Sequence, residues 1–219
     1  DAIVAFYGAP VPVDNHEYRA CLTAVRMQDS LDKLRHKWRS EGDRWPEIVH
    51  NMQNRIGITS GQMVTGNMGS AMRMNYTMMG DTVNLAARLE SSAKQYGVYI
   101  QVAEETYKVC KEKFIWRDLD YVVVMGKTEP AQVFELIAEA ENMPNGYDEI
   151  LNAFHEALGL YKKQEWKKAI DAFKTSDKLE DMFPGRKTNP SRIYIPRCEF
   201  YMENPPGDDW DGSWTLTSK

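Results

Sequence analysis

Residues 75–90, NYTMMGDTVNLAARLE, pass from one local structure to another at a single glycine. Tyr76 to Met79 is a short apolar run that reads as the end of a strand. Gly80 permits a tight turn, and Asp81 or Thr82 offers an oxygen to the first free N–H groups of a helix. From Val83 the residues are good helix formers: Leu85, Ala86, Ala87 and Leu89. Asn84 and Arg88 interrupt them four apart, so they share one face of the helix. An amide beside a fixed guanidinium suits an oxygen that gains negative charge. The same pair is also what the wet face of an ordinary helix looks like, and alone it decides nothing.

The chain around this stretch alternates strands and helices. Ala2 to Tyr7 is a nearly continuous apolar run closed by Gly8 and Pro10, and it reads as a strand already under way at Asp1. After Asp14 or Asn15, either able to cap, apolar residues recur at Ala20, Ala24, Met27, Leu31, Leu34 and Trp38, a helix with one buried stripe. Ile56 and Ile58, then Met63 and Val64, predict two strands joined as a hairpin through Ser60-Gly61. Gly66-Asn-Met-Gly-Ser70 looks like a phosphate loop but lacks the spacing of one, and is read as a turn passing close to a neighbouring element. Val98 to Ala103 predicts a strand and Glu104 to Lys113 a helix. Residues 116–126 and 131–138 predict an antiparallel pair around Gly126-Lys-Thr-Glu-Pro130. The block reads β, α, β, β, α, β, which suits an α+β fold: a ferredoxin-like antiparallel sheet with helices on one face.

Asn142 to Tyr147 reads as a linker, since Pro144 and Gly146 break the periodicity. Beyond it, Phe154, Ala157, Leu158 and Tyr161 form one apolar face, and Trp166, Ala169, Ile170 and Phe173 another. This pattern resembles a tetratricopeptide helix pair, and one such pair cannot bury its apolar face alone. Ser191 to Met202 offers a third helix, giving a small all-α extension. The organisation expected is residues 1–141, then a helical extension over 142–204, then an irregular tail over 205–219.

Composition excludes more than it selects. With 219 residues, 42% hydrophobic and 27% charged, the chain holds one sizeable domain plus an appendage. A net charge of −5 argues against a nucleic-acid partner. Cys21, Cys110 and Cys198 are scattered without ligand spacing, which points to buried free thiols in a reducing compartment. His16, His36 and His50 have no partners at ligand spacing and read as surface histidines. No apolar run approaches the ~18 residues of a membrane span, so a cytoplasmic location is expected, or the cytosolic part of a membrane-anchored protein.

The segment YTMMGDTVNLAARLE closely resembles the signature of class III adenylyl and guanylyl cyclases, and AIVAFYGAP and GKTEP match that family in order. The resemblance runs from Asp1 to about Glu139. It implies a catalytic domain that converts ATP to 3′,5′-cyclic AMP and pyrophosphate, with two divalent ions per site, Mg²⁺ or Mn²⁺, as cofactors. Asp1 matches one of the two carboxylates that hold those metals; the other carboxylate and a base-reading Lys would lie upstream. Arg88 would stabilise charge on the α-phosphoryl group and Asn84 would orient the ribose. Lys127 would meet the β- and γ-phosphates, while Met125 departs from the Lys usual in that loop. Thr77 occupies a base-reading position; it fits adenine without excluding guanine. The family pairs Asn84 and Arg88 of one subunit with the metal carboxylates of another, which implies a homodimer with shared sites. An N-terminal sensor or membrane domain is common among relatives. The competing readings are a cyclase-fold regulatory or scaffold protein without activity, and a guanylyl cyclase.

Overall fold

The computed structural model describes residues 2–122, 131–180 and 187–214. A four-stranded sheet is built from β1 (Ile56–Ile58), β4 (Ile100–Ala103), β6 (Ala131–Glu139) and β5 (Phe114–Val122), in that spatial order. β4 runs antiparallel to β6, and β6 antiparallel to β5, but β1 and β4 are parallel, with Gly57 opposite Gln101. Parallel neighbours need a long crossover. It is supplied by a two-stranded ribbon, β2 (Val64–Ser70) and β3 (Arg73–Met79), followed by α3 (Asp81–Tyr96).

The alternation of side chains along a strand then sorts the core. Ile58, Ile100, Val102 and Leu136 pack with Cys21, Ala24 and Val25 of α1 (His16–Ser40) and with Cys110 of α4 (Glu104–Cys110). Ala103, Leu119 and Val133 pack instead with Leu85, Leu89, Ala93 and Tyr96 of α3. Helices therefore cover both faces of an α+β sheet rather than one. This is why β4, Ile-Gln-Val-Ala, is buried at every position, Gln101 included; the side chain of Ser92 on α3 donates to Gln101 Oε1 at 3.0 Å. A four-residue helix, α2 (Glu47–His50), follows α1.

Four local expectations are corrected. Residues 2–7 form no strand; Ile3 is 84% exposed, and the segment lies along the molecule through Phe6 against Tyr76 and a Tyr7 hydroxyl donated to Thr23 at 2.7 Å. An apolar run becomes a strand only beside a ladder partner, and none of the described strands pairs with it. The hairpin does not turn at Ser60-Gly61. β1 pairs with β4, and the true turn is at Ala71-Met72, where Ser70 faces Arg73. Gly66 to Ser70 is accordingly strand, not turn, although Gly69 does allow the backbone of Arg73 to pass close by. Finally, neither Asp81 nor Thr82 caps α3: Gly80 is the N-cap, and the Thr82 hydroxyl donates to the Gln62 carbonyl at 3.1 Å.

Three further helices follow, α5 (Tyr147–Lys162), α6 (Trp166–Leu179) and α7 (Pro190–Glu203). Asn189 caps α7 by accepting from the Arg192 N–H at 3.1 Å, with Pro190 in the first turn, where its missing N–H costs nothing. Phe154, Tyr161, Phe173, Tyr194 and Tyr201 form the shared core, closed by Trp210 and Trp214. All three cysteines are buried free thiols. No helix among the described residues is long and apolar enough to cross a membrane.

Candidate active site

α3 is placed by a close approach. A Cβ at Gly57 would lie 2.1 Å from the Ala86 carbonyl oxygen and 2.5 Å from the Glu90 amide nitrogen, so only glycine lets the helix backbone rest on β1. Leu85 and Leu89 then point into the sheet, and the next turn is tied to the strand by the Arg55–Glu90 ion pair at 3.2 Å. With those faces committed, Asn84 and Arg88 are left on the exposed side, one turn apart. A shallow groove of about 360 Å³ runs from Arg88 past Ala87, Ser91 and Ser92 to Gln95. It includes Arg88 but not Asn84.

Thr77 is half-buried on β3, opposite Gly66 and three residues before Gly80. The stretch from strand end through Gly80 into α3 thus carries Thr77, Asn84 and Arg88 on one continuous piece of chain. Asp1 and Lys127 lie outside the described residues, as does Met125. Among the described residues no three His, Cys, Asp or Glu side chains converge as a metal site.

The charged groups that burial singles out lie elsewhere, between β5 and the C-terminal helices. Arg117 is fully buried, with Glu135 of β6 at 2.8 Å and Glu180 at the end of α6 as a second ion-pair partner. Asp120 accepts from Arg197 at 2.6 Å. Burial works against the Arg197 charge, but Asp120 together with the Tyr96 and Tyr194 hydroxyls outweighs it and holds the guanidinium's pKa above its ordinary value. Burial, reinforced by Asp120, likewise raises the Tyr96 hydroxyl. His155 of α5 accepts the Asp118 N–H at 3.2 Å. Sequence reasoning passed over this set. Its one signal was Arg117-Asp-Leu-Asp120, three charges in four residues inside a strand flanked by Trp116 and Tyr121.

Comparison with known proteins bears on the sheet and α3. The family model described as the adenylate and guanylate cyclase catalytic domain matches residues 1–137. Adenylate cyclase 1 of Rhizobium meliloti is 31% identical over 137 residues, 63% of this chain and 20% of the relative. The terminal-differentiation-specific adenylate cyclase of Dictyostelium discoideum is 31% identical over 183 residues, 82% of this chain and 8% of the relative. This chain therefore spans a fifth or less of the length of either. Among solved structures, the adenylyl cyclase CyaB from P. aeruginosa superposes with a TM-score of 0.51 at 28% identity, covering 63% of this chain and 68% of that one. A helix seated on β1 through Gly57 and carrying Asn84 and Arg88, inside a 137-residue family match, leads to one conclusion: this chain belongs to the adenylate and guanylate cyclase catalytic domain family.

Proposed function

We propose that the protein is an adenylyl cyclase that forms 3′,5′-cyclic AMP from ATP at composite sites of a homodimer. The observation that carries this reading is the exposed pair Asn84 and Arg88 on a helix whose other faces are fixed. In the reaction the ribose 3′-oxygen loses its proton and bonds to the α-phosphorus, while the bond to the leaving pyrophosphate breaks. Such a transfer needs alignment and charge neutralisation more than covalent chemistry. Arg88 would place its guanidinium against the α-phosphoryl oxygens as charge builds there. Asn84 would hold the ribose so that the 3′-oxygen lies in line. Thr77 would read the base through a hydroxyl able to donate or accept, and Lys127 would meet the β- and γ-phosphates. Asp1 would be one carboxylate toward Mg²⁺ or Mn²⁺, which would neutralise the triphosphate when bound.

In this reading residues 1–141 are the catalytic domain, 142–204 a tetratricopeptide-like extension and 205–219 a tail, and the protein works in the cytoplasm. The relatives named adenylate cyclase support ATP over GTP. The decisive experiment is cyclic nucleotide production from ATP and from GTP with Mg²⁺ or Mn²⁺. Cyclic AMP from ATP, competed only weakly by GTP, is the expected result; cyclic GMP as the main product overturns the base assignment. Chains carrying Asp1→Ala and Arg88→Ala should each be inactive, and mixing them should restore one working site per dimer. No recovery in the mixture removes the composite site.

A further inference from the structure

We propose that Asp120 is a positioning residue: it ties the last turn of α3 to α7, so that the C-terminal helices set where Asn84 and Arg88 stand. This rests on the reading of α3 given above.

The starting point is a defect in the sheet. Between Asp118 and Asp120 the β5–β6 register slips by one residue, Asp118 facing Phe134 and Asp120 facing Val133. Leu119 is the extra residue, and such a bulge frees main-chain groups from the ladder. The groups of this segment are satisfied by the extension: the Asp118 N–H by His155, and the Leu119 carbonyl by the Tyr194 hydroxyl. The bulge also sends Asp120 into the seam, where one buried carboxylate gathers donors from two other elements. Arg197 of α7 donates to Oδ2 at 2.6 Å, and Tyr96 of α3 donates to the same oxygen.

A second contact locks the same end of α3. Gly97, its C-cap, has φ +66°, and a Cβ there would lie 2.0 Å from the Thr188 carbonyl oxygen just before α7. Ile193 of α7 packs on the cluster that contains Leu85 and Leu89. α3 is therefore held at two places, by β1 at Gly57 and by the extension at Tyr96-Gly97. Asn84 and Arg88 project from the helix so fixed. A buried charge pair with further hydrogen bonds selects one arrangement sharply, because any slip leaves a charge without its partner.

Asp120→Asn strands Arg197 and can fail for lack of folding, so the test uses Tyr96→Phe, which cuts only the α3 leg and leaves the Asp120–Arg197 pair. Glu180→Gln is the control: it weakens the seam at Arg117 without touching α3. Tyr96→Phe should lower kcat about tenfold with KM for ATP nearly unchanged, a fraction of what a ~1 Å misplacement can cost. The Gly97 and Val98 amides, bonded to Lys94 and Ala93 carbonyls, should exchange with solvent roughly tenfold faster. Glu180→Gln should lower the melting temperature at least as much and leave kcat intact. An unchanged kcat and exchange in Tyr96→Phe, or an equal kcat loss in Glu180→Gln, overturns the proposal. If the unmodified protein makes no cyclic nucleotide, the enzymatic reading fails instead, and the exchange measurement still decides the link.

Discussion

Two regions of this molecule invert the usual placement of side chains. The β2–β3 ribbon carries apolar residues outward: Met72 is 97% exposed, and Val64, Met74 and Met79 are exposed as well. The seam between β5 and the C-terminal helices does the reverse, burying Arg117, Asp120, Glu135, Glu180 and Arg197. Exposed apolar surface of that kind marks a face that has something to cover it. Buried charges survive only where each has found its counterpart. The seam pairs its charges within one chain, Arg117 with Glu135 and Glu180 and Asp120 with Arg197; the ribbon, on the homodimer reading, covers its apolar face against a second copy.

The comparison predicts which arginine does what. Arg197→Met leaves the Asp120 carboxylate buried without its cation, and should cost about 3–5 kcal/mol of stability, read from denaturant unfolding. Adding Asp120→Asn should restore most of that loss, since neutralising both partners removes the stranded charge. Arg88→Ala should do the opposite. It should lower kcat by about 10²–10³, as loss of one preorganised donor does, and shift the unfolding midpoint little, because its side chain stands on the exposed face of α3. Equal effects of the two arginines on both measurements would erase the distinction between seam and site.

The ribbon supplies the next test. Met74→Lys places a charge on an exposed strand position opposite Gly69. It should leave the monomer folded, with a stability change within about 0.5 kcal/mol, and weaken self-association by tenfold or more, measured by sedimentation. A dimer that is indifferent to Met74→Lys uses another face.

How much of this was legible beforehand depends on where the information lies. The switch at Gly80 was readable because strand and helix periods, turn glycine and helix formers all agree within sixteen residues. Strands β4, β5 and β6 and the three C-terminal helices followed from periodicity of the same local kind. The hairpin was misplaced because Ser60-Gly61 is a good turn, yet which strand β1 joins is settled by a partner more than forty residues away, Ile56 opposite Ile100. The seam was invisible for a sharper reason. Asp120 pairs with Arg197 and Arg117 with Glu180, contacts 77 and 63 residues apart, and each side chain taken alone looks like solvated surface. His155 passed unnoticed because its partner is a backbone N–H freed by a bulge.

That histidine gives the smallest and most selective prediction. Burial holds the His155 imidazole below its ordinary value of 6.5, with Arg117 and Lys162 pushing the same way and Asp118 opposing them. Its ring nitrogen must stay unprotonated to accept the Asp118 N–H. The unfolded chain therefore binds the proton more readily than the folded one. The stability tied to the neutral ring is fully present above about pH 6.5 and is lost as the pH falls from there toward the lower folded value. Denaturant unfolding followed from pH 7 to pH 5 should show this loss, and His155→Gln, which keeps an acceptor without the titration, should flatten that part of the curve. The ribbon carries no histidine, so self-association of His155→Gln should keep the pH dependence of the parent. A pH profile of unfolding that His155→Gln leaves untouched would show that the bulge draws its stability from the ion pairs alone.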